Sequence, residues 1–500
     1  VELHPYAFIN DEGEMGNGGS CIFEGDCTNL FGQGWAGQPM LAFFPTGLSV
    51  WLFGHTAMAV RLVSVIFGTL SVLFTYLFTR EVFGKKQAFV AASLLATLPL
   101  NVHFSRIGVD NIIDSVSTTA TLWFLFRGIK RKSTLSYLFS GILSGLSIAT
   151  YPGSRLAPIM ILLVIGFGVL NSRDFLKSHS RNIAFLILGF VITAAPFLAY
   201  FYLHPEIFGS RMLREGIFWN HSFENQQING RNMFEIITDQ FLRSTLVFII
   251  TPAPSNFFNS PNPYLTDIAA VFFILGLAYT LRKFLDIRYI TVFIWFWISV
   301  ILGSVITGGP PTSQRMLMST PALVIVIAIG LTKFLELIPF EGKVYQRVSN
   351  FLLLIFVLYF GYQNISFYFQ DYKAGHYFED PTNEFSFETR TLITPLHTTG
   401  RLFLLSTPGE PFLTFANFEY FSPDVEKFYL DEVTPEYISS LPNDKDVLFI
   451  ATADRQPDLI YLTKVFPGGE LKEFKRRYQP DKLLFLSYMV KKSQLIQSQP

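Results

Sequence analysis

The sequence predicts a polytopic all-α membrane protein with about ten or eleven transmembrane helices, closed by a C-terminal extracytoplasmic α/β domain. Three observations predict it. Half of the 500 residues are hydrophobic and only 15% are charged, with 54 Phe and a mean hydropathy of +0.36. Uncharged runs such as AFVAASLLATLPL from Ala88 and LAPIMILLVIGFGVL from Leu156 approach the roughly 20 residues that cross a bilayer core as helix. Beyond about residue 368 these runs give way to shorter apolar segments between polar turns. The formal net charge is zero, so nothing global points to nucleic acid.

The first segment, residues 1–57, reads as an external loop. YAFINDEGEMGNG, residues 6–18, places Asp11, Glu12 and Glu14 close together, and the glycines that follow predict flexibility. The two cysteines, Cys21 and Cys27, share this segment. An external compartment permits a disulfide that would pin the loop beside the acids. A pair of reduced thiols is the other reading.

The transmembrane region, 58–367, follows. Candidate spans lie at about 58–82, 88–105, 110–128, 135–151, 155–170, 183–203, 264–282, 289–307, 317–333 and 349–367. One set of connections is basic, carrying Lys85 and Lys86, then Arg127, Lys130, Arg131 and Lys132, then Arg173, Lys177 and Arg181, then Arg282, Lys283 and Arg288, then Lys343 and Arg347. By the positive-inside rule these face the cytoplasm. The other set is external: the start of the chain, SRIGVDN, YPGSR, the stretch 204–263 and TGGPPTSQR. This alternation leaves the C-terminal domain outside and predicts a further span ahead of Val1.

The domain 368–500 reads as α/β. KDVLFIATADR from Lys445 and KLLFLSYMVKK from Lys482 have the composition of strands, and SPDVEKFYL from Ser422 reads as part of a short helix. No glycine-rich nucleotide-binding fingerprint is present.

The external loops gather the residues that could do chemistry: Asp11, Glu12 and Glu14; His103, Arg106, Asp110 and Asp114; Tyr151 and Arg155; Arg211, Arg214 and His221; and Arg315. A phosphate leaving group needs positive donors, and an acceptor hydroxyl or amine needs a base within hydrogen-bond reach. The residues leave alternatives open. Asp110 is either an active-site acid or a cap on the helix that follows, and Asp114 lies one turn further on. Arginines at helix ends also snorkel. Arg61, near the outer end of its span, suits pairing with a carboxylate. His55 and His103 lack metal-ligand spacing and read as polar interfacial residues.

The stretch from INDEGEMGNG through LFGQGWAGQPMLAFFPTGLSVWLFGHTAMAVRLVSVIFG, with SRIGVDNIID, ATYPGSRLAP and SQRMLMSTPAL beyond it, resembles the GT-C superfamily of glycosyltransferases. The nearest resemblance is to bacterial dolichyl-phosphate-mannose-protein mannosyltransferase-like proteins, which are also similar to lipid A aminoarabinose transferases. It spans roughly residues 6–335. It implies a bacterial plasma-membrane enzyme that moves a sugar from a polyprenyl phosphate carrier to a protein, lipid or glycan acceptor on the extracytoplasmic face, with inversion. Asp11 then matches the catalytic carboxylate, Glu12 its acidic neighbour and Asp110 the acid of the second external loop. Arg106, Arg155 and Arg315 are candidates for the lipid phosphate, with Arg61 and Tyr151 beside them as substrate-binding residues. No cofactor is required, and a divalent metal is optional. The implied partners are the polyprenyl-linked sugar and membrane lipids, with the C-terminal domain offering a surface for a partner subunit. Two other readings stand beside this one. An inactive relative would serve as a structural subunit of a membrane complex. A transporter would need ionisable groups deep in its spans, whereas the charges here cluster at span ends.

Overall fold

The computed structural model describes residues 7–172, 174–218, 230–339, 342–378, 380–406, 416–430 and 433–498. His221 lies outside these residues. The chain forms two compact units: residues 21–48 with 61–378, and residues 1–20 with 49–60 and 379–500.

The first unit is helical. Among the described residues, six helices are long and apolar enough to cross a membrane: Ala57–Val82 (which begins in the other unit), Pro152–Asn171, Asp174–Leu203, Ile287–Val305, Ser313–Leu335 and Gly342–Tyr372. Ten were expected, and the difference has local causes. The segment 88–105 divides into helices Lys85–Thr97 and Pro99–Phe104, because Pro99 lacks the amide that would continue the first helix. Segment 110–128 begins with a 3-10 turn and continues as helix Ile113–Arg131, whose buried face carries Ser115, Thr118, Thr119 and Thr121. Segments 135–151 and 264–282 form the shorter helices Thr134–Leu146 and Asp267–Arg282.

Helix Thr320–Leu335 lies at the centre of this unit, with residues from Thr320 to Thr332 buried on every side. A helix that is apolar all round is one with neighbours all round. Glycines set how closely those neighbours come. A Cβ on Gly276 would sit 2.0 Å from the Val326 carbonyl oxygen, and one on Gly330 would sit 2.0 Å from that of Phe272. The pair Thr134–Leu146 and Asp174–Leu203 repeats the device, with a Cβ on Gly141 falling 2.0 Å from the Leu186 carbonyl oxygen. Without a hydrophobic drive between helices in lipid, such backbone-to-backbone contact carries the association.

The second unit holds a five-stranded sheet of order β2-β1-β3-β5-β4, with β1 Gly400–Leu405, β2 Glu426–Tyr429, β3 Asp446–Thr452, β4 Glu470–Arg476 and β5 Gln479–Val490. β1 pairs in parallel with β2 and β3, and β5 runs antiparallel to β3 and β4. The central strands are apolar on both faces. Leu402, Leu404, Leu448 and Ile450 pack with Phe385, Ile393 and Phe418 of the helices on one side. Phe403, Leu405, Val447 and Phe449 pack with Leu459 and Leu462 on the other. That is the period-two alternation of a strand buried between two helical layers. The strands expected at Lys445 and Lys482 are present. The stretch from Ser422, expected as a helix, is instead strand β2, because Glu426–Tyr429 find a parallel partner in Arg401–Leu404.

An ion-pair network closes one end of the sheet. The Arg401 guanidinium binds Glu426 and Asp444, and Lys445 reaches Glu426 at 2.6 Å. Hydrogen bonds from Lys445 and then Arg401 hold the Glu426 carboxyl below its ordinary value, and Arg401 does the same for Asp444. A carboxylate depressed in the folded state stabilises above its unfolded pKa and loses that contribution as pH falls through the folded one. Protection of β1 and β3 amides in hydrogen exchange, corrected for intrinsic rates, should therefore fall as pH drops below the ordinary carboxylate range of about 4. Arg401→Gln should flatten that dependence. In the helical unit, Gly141→Val should lower stability by about 1–3 kcal/mol through overpacking. Gly166→Val is the control, since a Cβ there meets nothing within 4 Å. Thermal unfolding of both variants in detergent checks this.

Candidate functional site

The acidic segment is a helix, Asn10–Glu24, and not the flexible loop expected. Its glycines serve packing. A Cβ on Gly13 would sit 2.4 Å from Asn417 Oδ1, and one on Gly16 would sit 2.3 Å from the Tyr420 ring. The Asn417 side-chain amide donates to the Phe8 carbonyl at 2.8 Å, and the Ala416 amide donates to Asn10 Oδ1 at 2.8 Å. Asp11 is partly buried. Glu12 is fully buried, and its Oε2 accepts from the Ile9 amide at 3.0 Å, so part of its bonding capacity closes the helix start. Burial first and Asp11 second push the Glu14 carboxyl above the ordinary range. His55, which lies in the same unit, stacks on Tyr420 and meets Ser20 Oγ at 3.2 Å.

The remaining candidates lie in the helical unit. Cys21 and Cys27 are joined there in a disulfide with Cα atoms 5.2 Å apart. Tyr151, Arg155 and Arg315 line one pocket of about 230 Å³, together with Arg211 and Glu215. Each is placed by local structure. Arg155 ends the 3-10 turn Pro152–Arg155, which is tied down by Ser154 Oγ donating to Asp114 Oδ1 at 2.8 Å. Its guanidinium donates to the carbonyls of Ile148 and Phe208 and lies 4.6 Å from the Phe208 ring centroid. Arg211 and Glu215 sit one turn apart on helix Pro205–Glu215 and are paired at 3.4 Å. The end of that helix is held to the loop before Arg315, with the Ile217 amide donating to the Ile306 carbonyl and the Gly308 amide to the Glu215 carbonyl.

The electrostatics of this pocket favour an anion. Arg315 Nη2 contacts Glu215 Oε2 at 2.5 Å, while its Nη1 is buried with no hydrogen-bond partner among the described residues. Arg211 bonds the Tyr151 side chain and donates to the Ala36 carbonyl at 3.0 Å, and its Nε likewise lacks a partner. Three guanidinium groups thus face one carboxylate on the pocket wall. Leaving a buried charged donor unmatched costs more than the roughly 1–3 kcal/mol of a neutral one. The apolar remainder of the wall includes Leu156, Ile159, Leu302 and Ile306.

Asp110 and Asp114 lie behind this pocket, close enough to act electrostatically on Tyr151. Asp110 is 5% exposed and begins the 3-10 turn Asp110–Ile112. Val109 and Ile112 hold the cap positions of that turn and of the next helix, so Asp110 is not the helix cap. Asp114 is fully buried, and its Oδ2 has no hydrogen-bond partner among the described residues. Arg61 and Arg106 do not line the pocket. Arg106 bonds Tyr368 and lies 5.2 Å from the Phe369 ring centroid, with Arg61 close by. His103 belongs to that second cluster, its ring nitrogens meeting Tyr368 Oη at 3.0 Å and the Phe257 carbonyl at 2.7 Å. Arg211 was gathered among the external residues without a substrate role, and Glu215 was not singled out. Their signal was the i, i+4 spacing of opposite charges in RMLRE, which also occurs on plain surface helices. Among the described residues, no group of three or more His, Cys, Asp or Glu is placed to hold a metal ion.

A Cβ on Gly153 would fall 2.0 Å from Asp114 Oδ2. Gly153→Ala should therefore force the Pro152–Arg155 turn away from Asp114 and lower stability by about 1–3 kcal/mol. Thermal unfolding checks this, and a Tm equal to that of the unmodified chain would show that the turn yields without cost.

Residues 37–200 match the family model described as dolichyl-phosphate-mannose-protein mannosyltransferase. No curated protein matches the sequence. Among solved structures, ArnT from Cupriavidus metallidurans bound to undecaprenyl phosphate superposes with a TM-score of 0.58 at 12% identity, covering 97% of this chain and 94% of that one. The Archaeoglobus fulgidus oligosaccharyltransferase in its apo form gives a TM-score of 0.53 at 12% identity, covering 93% of this chain and 69% of that one. At such identities the likeness is one of fold. The chain is therefore a polytopic, mostly helical protein whose fold is like those of ArnT and the archaeal oligosaccharyltransferase, and whose residues 37–200 resemble the mannosyltransferase family.

Proposed function

We propose that the chain is an inverting glycosyltransferase that takes a sugar from a polyprenyl phosphate and passes it to a protein, lipid or glycan acceptor on the extracytoplasmic face. The observation that carries the reading is the pocket in which Arg155, Arg211 and Arg315 face the single carboxylate Glu215. Its surplus of guanidinium donors suits a phosphate, and its apolar wall suits the first isoprene units. The fold shared with a protein solved with undecaprenyl phosphate supports the same assignment.

In the proposed reaction the acceptor oxygen or nitrogen attacks the anomeric carbon from the face opposite the phosphate. The anomeric C–O bond breaks, and its electron pair leaves with the polyprenyl phosphate. Arg315 and Arg211 offset the charge that develops there, and Arg155 holds the phosphate from the side of Tyr151. The acceptor's proton goes to Asp11, assigned as general base on the resemblance of INDEGEMG to the family's catalytic loop. Glu12 is given the lesser part, since it already bonds the Ile9 amide. Asp114 sets the position of the turn that bears Arg155 through Ser154. The proposal leaves Arg61 and Arg106, engaged with Tyr368, outside phosphate binding. These steps need no electron-transfer cofactor, and a divalent metal stays optional.

The proposal separates binding from turnover. Arg315→Ala should weaken binding of labelled polyprenyl phosphate at least tenfold. Asp11→Asn should leave that binding nearly unchanged and cut sugar transfer by about 10²–10⁴, the usual contribution of a general base. Glu12→Gln should cost less than Asp11→Asn. Lipid binding unchanged by Arg315→Ala would remove the phosphate assignment. Near-full turnover in Asp11→Asn would move the base elsewhere, to Asp110 first.

A further inference from the structure

A second cleft, of about 550 Å³, opens in the helical unit and shares no wall residue with the arginine pocket. It lies where the N-terminus of helix Asp267–Arg282 meets the loop before it and the late turns of helix Gly342–Ser366. Its volume falls within the range of small-molecule sites. Its chemistry is the reverse of the arginine pocket's. The wall carries two carboxylates, Asp267 and Asp371, the amides of Asn262, Gln363 and Asn364, and no Lys, Arg or His. Tyr264, Tyr359 and Tyr362 supply aromatic surface.

Two polar groups on this wall lack partners. Tyr264 is 4% exposed, and its hydroxyl has no hydrogen-bond partner among the described residues. Gln363 donates to the Tyr359 hydroxyl at 2.7 Å, but its Oε1 is buried and unpartnered. Buried polar groups are ordinarily matched, so an orphaned hydroxyl and amide oxygen on the wall of one open cleft mark a place where a ligand can complete the bonding.

We propose that this cleft binds a neutral saccharide. Carboxylates and amides together offer the paired acceptors and donors that vicinal hydroxyls require. Tyrosine faces offer flat apolar area to the C–H face of a sugar ring, with a polar tip beside it. Two acids with no basic neighbour on the wall repel a phosphate, which excludes the carrier lipid's headgroup. The inference does not rest on the proposed transferase reaction, because the binding can be read without turnover.

The test is saturation-transfer NMR on the purified full-length chain in a sugar-free zwitterionic detergent, with methyl glycosides of neutral hexoses as probes. The sugar ring protons should receive saturation. The signal should fall at least threefold in Tyr362→Ala, a residue 74% exposed whose truncation spares the fold, and in Asp371→Ala. Absence of saturation in the unmodified chain overturns the proposal. So does equal saturation in both variants, or displacement of the sugar by millimolar ethanolamine, which would make the cleft a cation site. Binding of labelled polyprenyl phosphate, measured alongside, should be unchanged in both variants. Its loss in the unmodified chain would count against the arginine pocket and leave the saccharide result standing.

Discussion

A guanidinium taken out of water needs a carboxylate, a row of carbonyls or an anion beside it. The irregular backbone at residues 215–217 and 301–315 of the helical unit meets that requirement at Arg315. Helix Pro205–Glu215 brings Glu215 to it, and the Ile217 and Gly308 amides bind the two segments together. Ahead of Arg315 the chain leaves its span as a π-helical turn, Ile301–Val305. The Ser304 hydroxyl then accepts from the Thr312 amide, and the Gly303 carbonyl accepts from the Thr312 hydroxyl. A Cβ on Gly303 would sit 2.6 Å from the Arg315 carbonyl oxygen, so the turn and the arginine are packed as one piece. Non-helical backbone at the end of a span is tolerated where protein surrounds it, and here the partners can be named.

The helical class was legible because apolar runs need no partner to be recognised. The number of spans was less so. Pro99 divides one apolar segment into two helices, and the buried hydroxyls after Asp110 make another helix too polar to count as a span. The arginines of the pocket were legible as charges in a greasy chain, but their grouping was not. Arg155 and Arg106 looked equivalent in sequence, yet one faces Arg211 and Glu215 while the other bonds Tyr368. What separates them is the turn fixed by Asp114 and Ser154, a contact 40 residues apart in sequence.

The errors in the second unit share a cause. DEGEMGNG reads locally as a turn-former, because glycine lowers helix propensity. The helix forms because Gly13 and Gly16 let it lie against Asn417 and Tyr420. EKFY reads as the continuation of a helix, and it becomes a strand because β1 offers a parallel edge. In both places a distant segment outweighs local preference. By contrast, β3 and β5 were legible, because the apolar runs from Lys445 and Lys482 between polar turns mark a strand without reference to its partners.

The contact between the first helix and the last domain has a consequence for how the chain is made. Asn417 donates to the carbonyl of Phe8 across 409 positions. Ribosomes add about 5–20 residues each second, so the segment bearing Asp11 leaves the ribosome some 20–80 s before Asn417 and Tyr420 exist. Through that interval the glycine-rich face of Asn10–Glu24 has none of those neighbours. Assembly of this unit therefore waits until residues 417–420 have been made, however early the spans enter the bilayer, and a chain stopped before residue 416 carries the acids without the surface that shapes them into a helix.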